Sequence, residues 1–191
     1  ISHGSASCMW PHLAVGAANA FPLSKGFEPA QIFEAIQRFR VTSSFLAPTM
    51  IVLLLKSPDR ERYDLSSLKN IVYGGGPMYV EQLKEAMEAF GPVFVQIYGQ
   101  AEAPVTITSL PKTEHITDDD PVKLRRLGSA GRESPSVRVR ILDPDDKPVR
   151  TGEMGEICVR SDLVMKGYWN KPEATAETLR NGWLHTGDMG Y

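Results

Sequence analysis

The 191-residue sequence predicts an α/β fold: a parallel sheet flanked by helices, followed by an antiparallel β subdomain that forms part of a barrel. Three observations predict it. Strand-like and helix-like segments alternate through the first half, which places helices on the faces of a parallel sheet. The run Val93-Phe94-Val95-Gln96-Ile97 is apolar almost throughout, the pattern of a strand buried on both faces, and it breaks at Gly99. From Leu127 onward, short segments are separated by turn clusters, the pattern of antiparallel strands. The expected division is residues 1–110 for the α/β part and residues 111–191 for the mostly β part.

Taken in order, Trp10 to Ala18 reads as a short helix and Asn19 to Leu23 as a strand. Pro29 suits a first helical turn, and Ile32, Phe33, Ile36 and Phe39 then recur at helical spacing. Val41 to Leu46 reads as the next strand. Pro48 opens a helix whose run Met50 to Leu55 is apolar nearly all round and should be buried. Asp64 and Ser66 offer caps before the strand Asn70-Ile71-Val72-Tyr73. Val80, Leu83, Met87 and Phe90 put one apolar stripe on a helix that Gly91-Pro92 ends. Val105 to Leu110 reads as one more strand, and Pro111 to Pro121 as a polar, turn-rich loop. The acidic Asp118-Asp119-Asp120 in that loop reads as solvated rather than cation-binding, because Lys123, Arg125 and Arg126 follow closely. Val137 to Ile141 alternates, Asp143 to Asp146 and Thr151-Gly152 read as turns, and Gly155 to Arg160 is the return strand. Pro172 to Leu179 is a short helix.

Composition excludes several classes. Hydrophobic content of 42% and charged content of 23% are ordinary for a globular protein, and a net charge of −2 gives no footprint for nucleic acid or an anionic membrane. The longest apolar run, Met50 to Leu55, falls far short of the about 20 residues that span a bilayer, so no transmembrane segment is expected. Cys8 and Cys158 lie far apart without metal-type spacing, which favours a reduced, cytoplasmic compartment. Both ends read as cuts in a longer protein: Ile1 is not an initiator, and Gly187-Asp188-Met189-Gly190-Tyr191 stops on a turn-like motif. Nothing in the sequence sets the oligomeric state.

The chemistry-bearing stretches stand at predicted strand ends, where open α/β sheets collect their ligands. In Gly74-Gly75-Gly76-Pro77, three missing Cβ atoms let the backbone turn sharply and lie flat against a ligand, and the following helix offers N–H groups to an anion. A tight strand-to-helix turn explains it equally well. It is neither G-x-G-x-x-G, since Tyr79 stands at the third glycine, nor a P-loop. In Tyr98-Gly99-Gln100-Ala101-Glu102, the ring can stack on a flat base and the carboxylate can hold Mg²⁺; a core tyrosine and a surface glutamate are the plain alternative. Thr186-Gly187-Asp188 puts a carboxylate on a turn, where it can accept from two neighbouring hydroxyls, although an Asp in a plain reverse turn is the commoner reading of a lone T-G-D. His3 and His12 have no nameable partner, and without G-x-S-x-G no Ser-His-Asp hydrolase is supported.

In their order, Gly74 to Pro77, Tyr98 to Glu102, Gly155-Glu156-Ile157, Gly167-Tyr168 and Gly182 to Asp188 resemble the motifs of the adenylate-forming superfamily. That superfamily includes acyl-CoA synthetases, firefly luciferase and the adenylation domains of peptide synthetases. Ser2-His3-Gly4-Ser5, Pro48-Thr49-Met50 and Tyr63 to Leu68 look most similar to the acyl- or aryl-CoA ligase branch. The resemblance implies ATP and AMP as nucleotides, Mg²⁺, coenzyme A as co-substrate and a small carboxylic acid as substrate. It lays Gly74, Gly75, Gly76 and Pro77 along the adenine, with Gly75 and Gly76 bordering the acyl pocket. It stacks Tyr98 on the other face, lines the edge with Gln96 and Ile97, and makes Gly99, Gln100 and Ala101 part of the nucleotide site. Glu102 would hold Mg²⁺ and the phosphates as the catalytic carboxylate, Asp188 would bind the ribose hydroxyls, and His3 would line the acyl entrance.

Two departures from the pattern stand out. Ala101 replaces the family's threonine, whose hydroxyl bonds the α-phosphate. The Ser/Thr/Gly-rich phosphate loop with its lysine, a downstream arginine, and the C-terminal domain with its catalytic lysine are not among these residues. The expected role is therefore the central piece of an acyl-CoA ligase, inactive by itself. The alternatives are a peptide-synthetase adenylation domain, a luciferase-like enzyme, or a nucleotide-sensing module without chemistry, which Ala101 favours. A Rossmann dehydrogenase is disfavoured because its glycine fingerprint fails. The three small residues 74–76 suit a fatty or an aromatic acid alike.

Overall fold

Where the chain alternates apolar runs with capped, amphipathic segments, the computed structural model has strand and helix in turn; it describes residues 4–118 and 120–191. The elements in order are α1 (Gly4–Ala14), α2 (Pro29–Phe39), β1 (Ser43–Leu46), α3 (Pro48–Lys56), β2 (Asn70–Tyr73), α4 (Val80–Phe90), β3 (Phe94–Gln100), β4 (Ala103–Leu110), α5 (Pro121–Leu127), β5 (Arg132–Glu133), β6 (Arg138–Leu142), β7 (Gly155–Arg160), α6 (Pro172–Thr178), β8 (Leu179–Arg180) and β9 (Trp183–Gly190). They fall into two units: residues 1–97 with 110–131, and residues 98–109 with 132–191. The boundary cuts β3 between Ile97 and Tyr98.

In the first unit β1, β2 and β3 run parallel, with Ser43 beside Asn70 and Tyr73 beside Gln96. The helices between them are built to cover this sheet. Pro29, Pro48 and Pro121 each occupy a first helical turn, where a missing N–H costs nothing. On α2, Phe33 and Ile36 are buried; on α4, Leu83 and Ala86 are. Phe33, Ile51, Ile71, Tyr73, Leu83 and Phe94 form one core with almost no exposed surface. At about 1.5–3 kcal/mol for each fully buried large side chain, this cluster supplies most of the unit's favourable energy. Within it, Tyr73 Oη lies 3.0 Å from His115 Nε2. His115 Nδ1 lies 2.9 Å from the Pro111 carbonyl, which can only accept, so Nδ1 carries the proton and Nε2 accepts from the tyrosine.

The second unit is antiparallel. β4 pairs with β5, and a four-stranded sheet runs in the order β6-β7-β9-β8. Ala103, Ile107, Val137, Val159 and Leu184 make its core, with Tyr98 packed against it. Asp143 shapes the turn after β6 by accepting from the N–H groups of Asp145 and Lys147, both at 2.9 Å.

Several expectations need correction. The first helix runs Gly4–Ala14 and carries Pro11 inside it, so it begins and ends earlier than Trp10 to Ala18. No strand forms over Asn19 to Leu23: Pro22 has no N–H to give a ladder, and Leu23 is 97% exposed. α3 is apolar all round, yet only Pro48, Ile51 and Leu54 are buried, and Leu53 stands half exposed. In β3 burial stops at Phe94, and Val95 to Gln100 are half-buried. Beyond the loop expected up to Pro121, where no element was expected, α5 forms: Asp120 caps it by accepting from Val122 N–H at 2.8 Å, and Leu127 is buried. Asp118 pairs with Lys123, as a solvated acidic loop would. No helix of the described residues is long and apolar enough to cross a membrane.

Two predictions follow from the first unit. A Cβ on Gly74 would collide with the Ile97 backbone oxygen and lie 3.0 Å from Ile97 Cγ1, whereas one on Gly76 would meet nothing. Gly74→Ala is expected to destabilise the protein by about 1–3 kcal/mol, and Gly76→Ala by far less, as measured by urea denaturation. Burial lowers the pKa of His115 against the weaker opposing hydrogen bond to Pro111. The unfolded chain therefore takes up this proton first as the pH falls. The contribution of His115 is fully present above its unfolded value of about 6.5 and is lost below it. Urea midpoints are expected to be higher at pH 7.5 than at pH 5.5, and the difference to shrink in His115→Gln.

Candidate nucleotide site

The carboxyl end of β3 supplies three of the expected residues in a row. Tyr98 packs its ring on the core of the second unit and donates its hydroxyl to Asp188 Oδ2 at 2.6 Å. Burial raises the Tyr98 pKa, and the hydrogen bond to Asp188 raises it further, so the hydroxyl stays protonated and donating. Alternation along the strand skips Gly99 and turns Gln100 the same way, where its Nε2 donates 3.0 Å to Asp188 Oδ2 and 2.8 Å to the Thr186 carbonyl. Residues 90 apart in sequence thus meet at one carboxylate oxygen.

Asp188 is delivered by an irregularity in the ladder between β7 and β9. Glu156 faces Met189 and Cys158 faces His185, so one residue of β7, Ile157, is opposed by three of β9: Thr186, Gly187 and Asp188. Such a bulge strands backbone groups, and each needs a partner. Thr186 Oγ1 donates to Ile157 O at 2.7 Å and accepts Asp188 N–H at 3.1 Å. Gly187, at φ +75°, adopts the left-handed conformation that favours glycine and gives its N–H to Glu156 Oε1 at 2.9 Å. Glu156 Oε2 accepts from His185 Nδ1 at 2.8 Å, and Arg180 lies 3.5 Å away. Burial pushes the Glu156 carboxyl up, but the bonds from His185 and Gly187 outweigh it and hold it below the usual range. Cys158 Sγ lies 3.4 Å from His185 Nδ1, and burial with the nearby Glu156 charge pushes this thiol up to about 12. Glu156, Cys158 and His185 stand close enough for metal ligands, but their separations are those of hydrogen bonds and the carboxylate is spent on N–H donors.

Glu102, on the turn between β3 and β4, accepts at Oε1 from the Tyr168 hydroxyl at 2.8 Å. That bond, with burial adding to it, raises the Tyr168 pKa. A cavity of about 520 Å³ opens beside it, lined in part by Gln100, Glu102, Tyr168, Arg180, His185 and Gly187. Ala101 is exposed on the same turn.

The remaining expected residues lie in the first unit. Gly74 is buried at the end of β2 against Ile97, while Gly75, Gly76 and Pro77 are exposed. α4 starts only at Val80, three residues beyond Pro77, so the glycine turn does not run directly into a helix N-terminus. Gln96, beside Tyr73, has a buried Oε1 without a hydrogen-bond partner among the described residues. His3 lies outside the described residues. Sequence reasoning gave no role to Glu156, Tyr168 or His185, although a carboxylate two residues from the buried Cys158 on one strand face is a signal that a partner is required.

The medium/long-chain-fatty-acid–CoA ligase FadD8 of Mycobacterium tuberculosis (strain ATCC 25618 / H37Rv) is 43% identical over 189 residues, covering 99% of this chain and 32% of that protein. The amide bond synthetase McbA from Marinactinospora thermotolerans matches with a TM-score of 0.79 at 40% identity, over 87% of this chain and 32% of that one. The o-succinylbenzoate CoA synthetase MenE from Bacillus subtilis, in complex with the acyl-adenylate intermediate OSB-AMP, matches with a TM-score of 0.81 at 31% identity, over 97% of this chain and 35% of that one. The chain thus spans about a third of the length of these relatives. The model of the AMP-binding enzyme family covers residues 1–169, and with the strand-end motifs in that family's order, this chain belongs to it.

Proposed function

We propose that this chain is the central part of an ATP-dependent carboxylic acid–thiol ligase, and that it holds the nucleoside. The observation that carries the reading is the meeting of Tyr98, Gln100 and Asp188 at one carboxylate oxygen, where a ring, an amide and an anion are gathered from distant parts of the sequence. Asp188 is exposed and has the geometry of an acceptor, which suits the paired hydroxyls of a ribose. The partnerless Gln96 Oε1 is an acceptor that the exocyclic amino group of adenine would satisfy. By the resemblance, Gly74 to Pro77 and Ile97 would lie along the base and Gly99 would belong to the nucleotide site, with Gly75 and Gly76 toward the acyl group.

In the proposed reaction an acid carboxylate oxygen bonds to the α-phosphorus of ATP as the α–β phosphoanhydride bond breaks and pyrophosphate leaves. The thiol of coenzyme A then displaces AMP from the acyl-adenylate. Glu102, whose Oε1 accepts from Tyr168, would hold the Mg²⁺ that would supply charge neutralisation. The residues of this chain bind and orient; the cationic groups that the family applies to phosphate are not among them. By this reading residues 1–110 carry the adenine loops, residues 111–191 end in the ribose carboxylate, the acid enters past His3, and the protein works in the cytoplasm. An amide bond synthetase among the relatives favours a second acceptor class, amines, for the same adenylate.

The deciding experiment assays the full-length protein with a panel of fatty and aromatic acids, offering coenzyme A or an amine. Acid-dependent release of AMP and pyrophosphate is the expected result. Release with no acid in the panel, under either acceptor, would leave a nucleotide-binding module. A second prediction concerns Ala101, which lacks the hydroxyl that the resemblance directs at the α-phosphate. A hydrogen bond to such a charged group is worth about 1.5–3 kcal/mol. Ala101→Thr is therefore expected to raise ATP affinity or turnover about tenfold or more, and unchanged kinetics would remove the assigned contact.

A further inference from the structure

We infer that Glu156 is a positioning residue for ribose recognition: its carboxylate sets the shape of the bulge that presents Asp188. The inference rests on the reading of Asp188 as the ribose ligand. Glu156 ties down the bulge on either side of Thr186, through one backbone donor and one side-chain donor. Oε1 takes the N–H of Gly187, the residue bonded to Asp188, at 2.9 Å; Oε2 takes His185 Nδ1–H at 2.8 Å. Thr186 fastens the middle of the bulge to Ile157. From β3, Gln100 and Tyr98 hold the Asp188 carboxylate itself.

Glu156 stands opposite Met189 in the ladder, and its carboxylate bonds the Gly187 N–H and the His185 ring. It acts through Gly187. Arg180, 3.5 Å from Oε2, sets an opposite charge beside the carboxylate without competing for the bulge N–H. With the carboxylate removed, the exposed Gly187 N–H is left to water and the buried His185 ring loses its acceptor. The bulge then loses the tie that holds Gly187 in one place, and Asp188, bonded to it, loses its fixed direction. In the proposed site the glycine turn and Glu102 stand outside this bulge, so the loss is expected at the ribose hydroxyls.

The test is calorimetric titration of the full-length protein with AMP and with 2′-deoxyAMP. The ratio of the two Kd values cancels the fraction of protein that is folded, so general destabilisation does not move it. The unsubstituted protein is expected to prefer AMP by about tenfold or more, the worth of one hydrogen bond to a charged acceptor. Asp188→Ala is expected to abolish the preference, and Glu156→Ala to cut it to within about threefold of parity. If Asp188→Ala abolishes the preference while Glu156→Ala leaves it intact, the inference is overturned and the ribose assignment stands. If Asp188→Ala keeps the preference, the assignment falls and the inference with it. Should the alanine variant yield no soluble protein, Glu156→Gln fills the same volume with only one acceptor oxygen. It is expected to lower the preference at least threefold, and an unchanged ratio overturns the inference.

Discussion

The bulge in β9 is the constraint around which the second unit is arranged. An antiparallel ladder left regular would alternate side chains evenly and pair every N–H. Placing three residues opposite Ile157 breaks that pairing and turns Asp188 outward, at the cost of stranded backbone groups. The surrounding sequence supplies partners for them: a hydroxyl at Thr186, a left-handed glycine at 187, a carboxylate at Glu156 and an amide at Gln100. Few other side-chain types fill these places, since each must donate or accept at a fixed reach.

The same economy governs the end of β3. Tyr98 has a ring that the core of the second unit accepts and a hydroxyl that the core does not, so the hydroxyl must leave the apolar cluster for Asp188. One side chain thereby anchors a strand end and fixes the direction of a carboxylate. In the first unit the analogous problem is solved by subtraction. Gly74 gives up its Cβ so that the end of β2 can lie against the Ile97 carbonyl. His115 and Tyr73 show the buried version: each polar atom is matched, and burial keeps the imidazole neutral.

Much of this was legible in the chain itself. The apolar stripes of α2 and α4, the prolines opening α2 and α3, and the glycine ending α4 mark the helices by local chemistry alone. The motifs at 74–77, 98–102 and 186–188 stood out because glycines and lone polar residues interrupt apolar strands. Where the reading failed, the cause was usually a choice between two local options. Trp10 to Ala18 reads as helical, but the helix forms over Gly4–Ala14. Asn19 to Leu23 has strand composition but finds no ladder.

The sequence alone determined the class of fold and the family, because these depend on period, composition and the order of short motifs. Only the tertiary structure decided that Glu156 serves the bulge and that Tyr168 holds Glu102. It also decided that Tyr98 spends its hydroxyl on Asp188. Such pairings join residues dozens of positions apart. Ladder register and the need to satisfy buried donors select them, and neither is written in any one stretch of the chain.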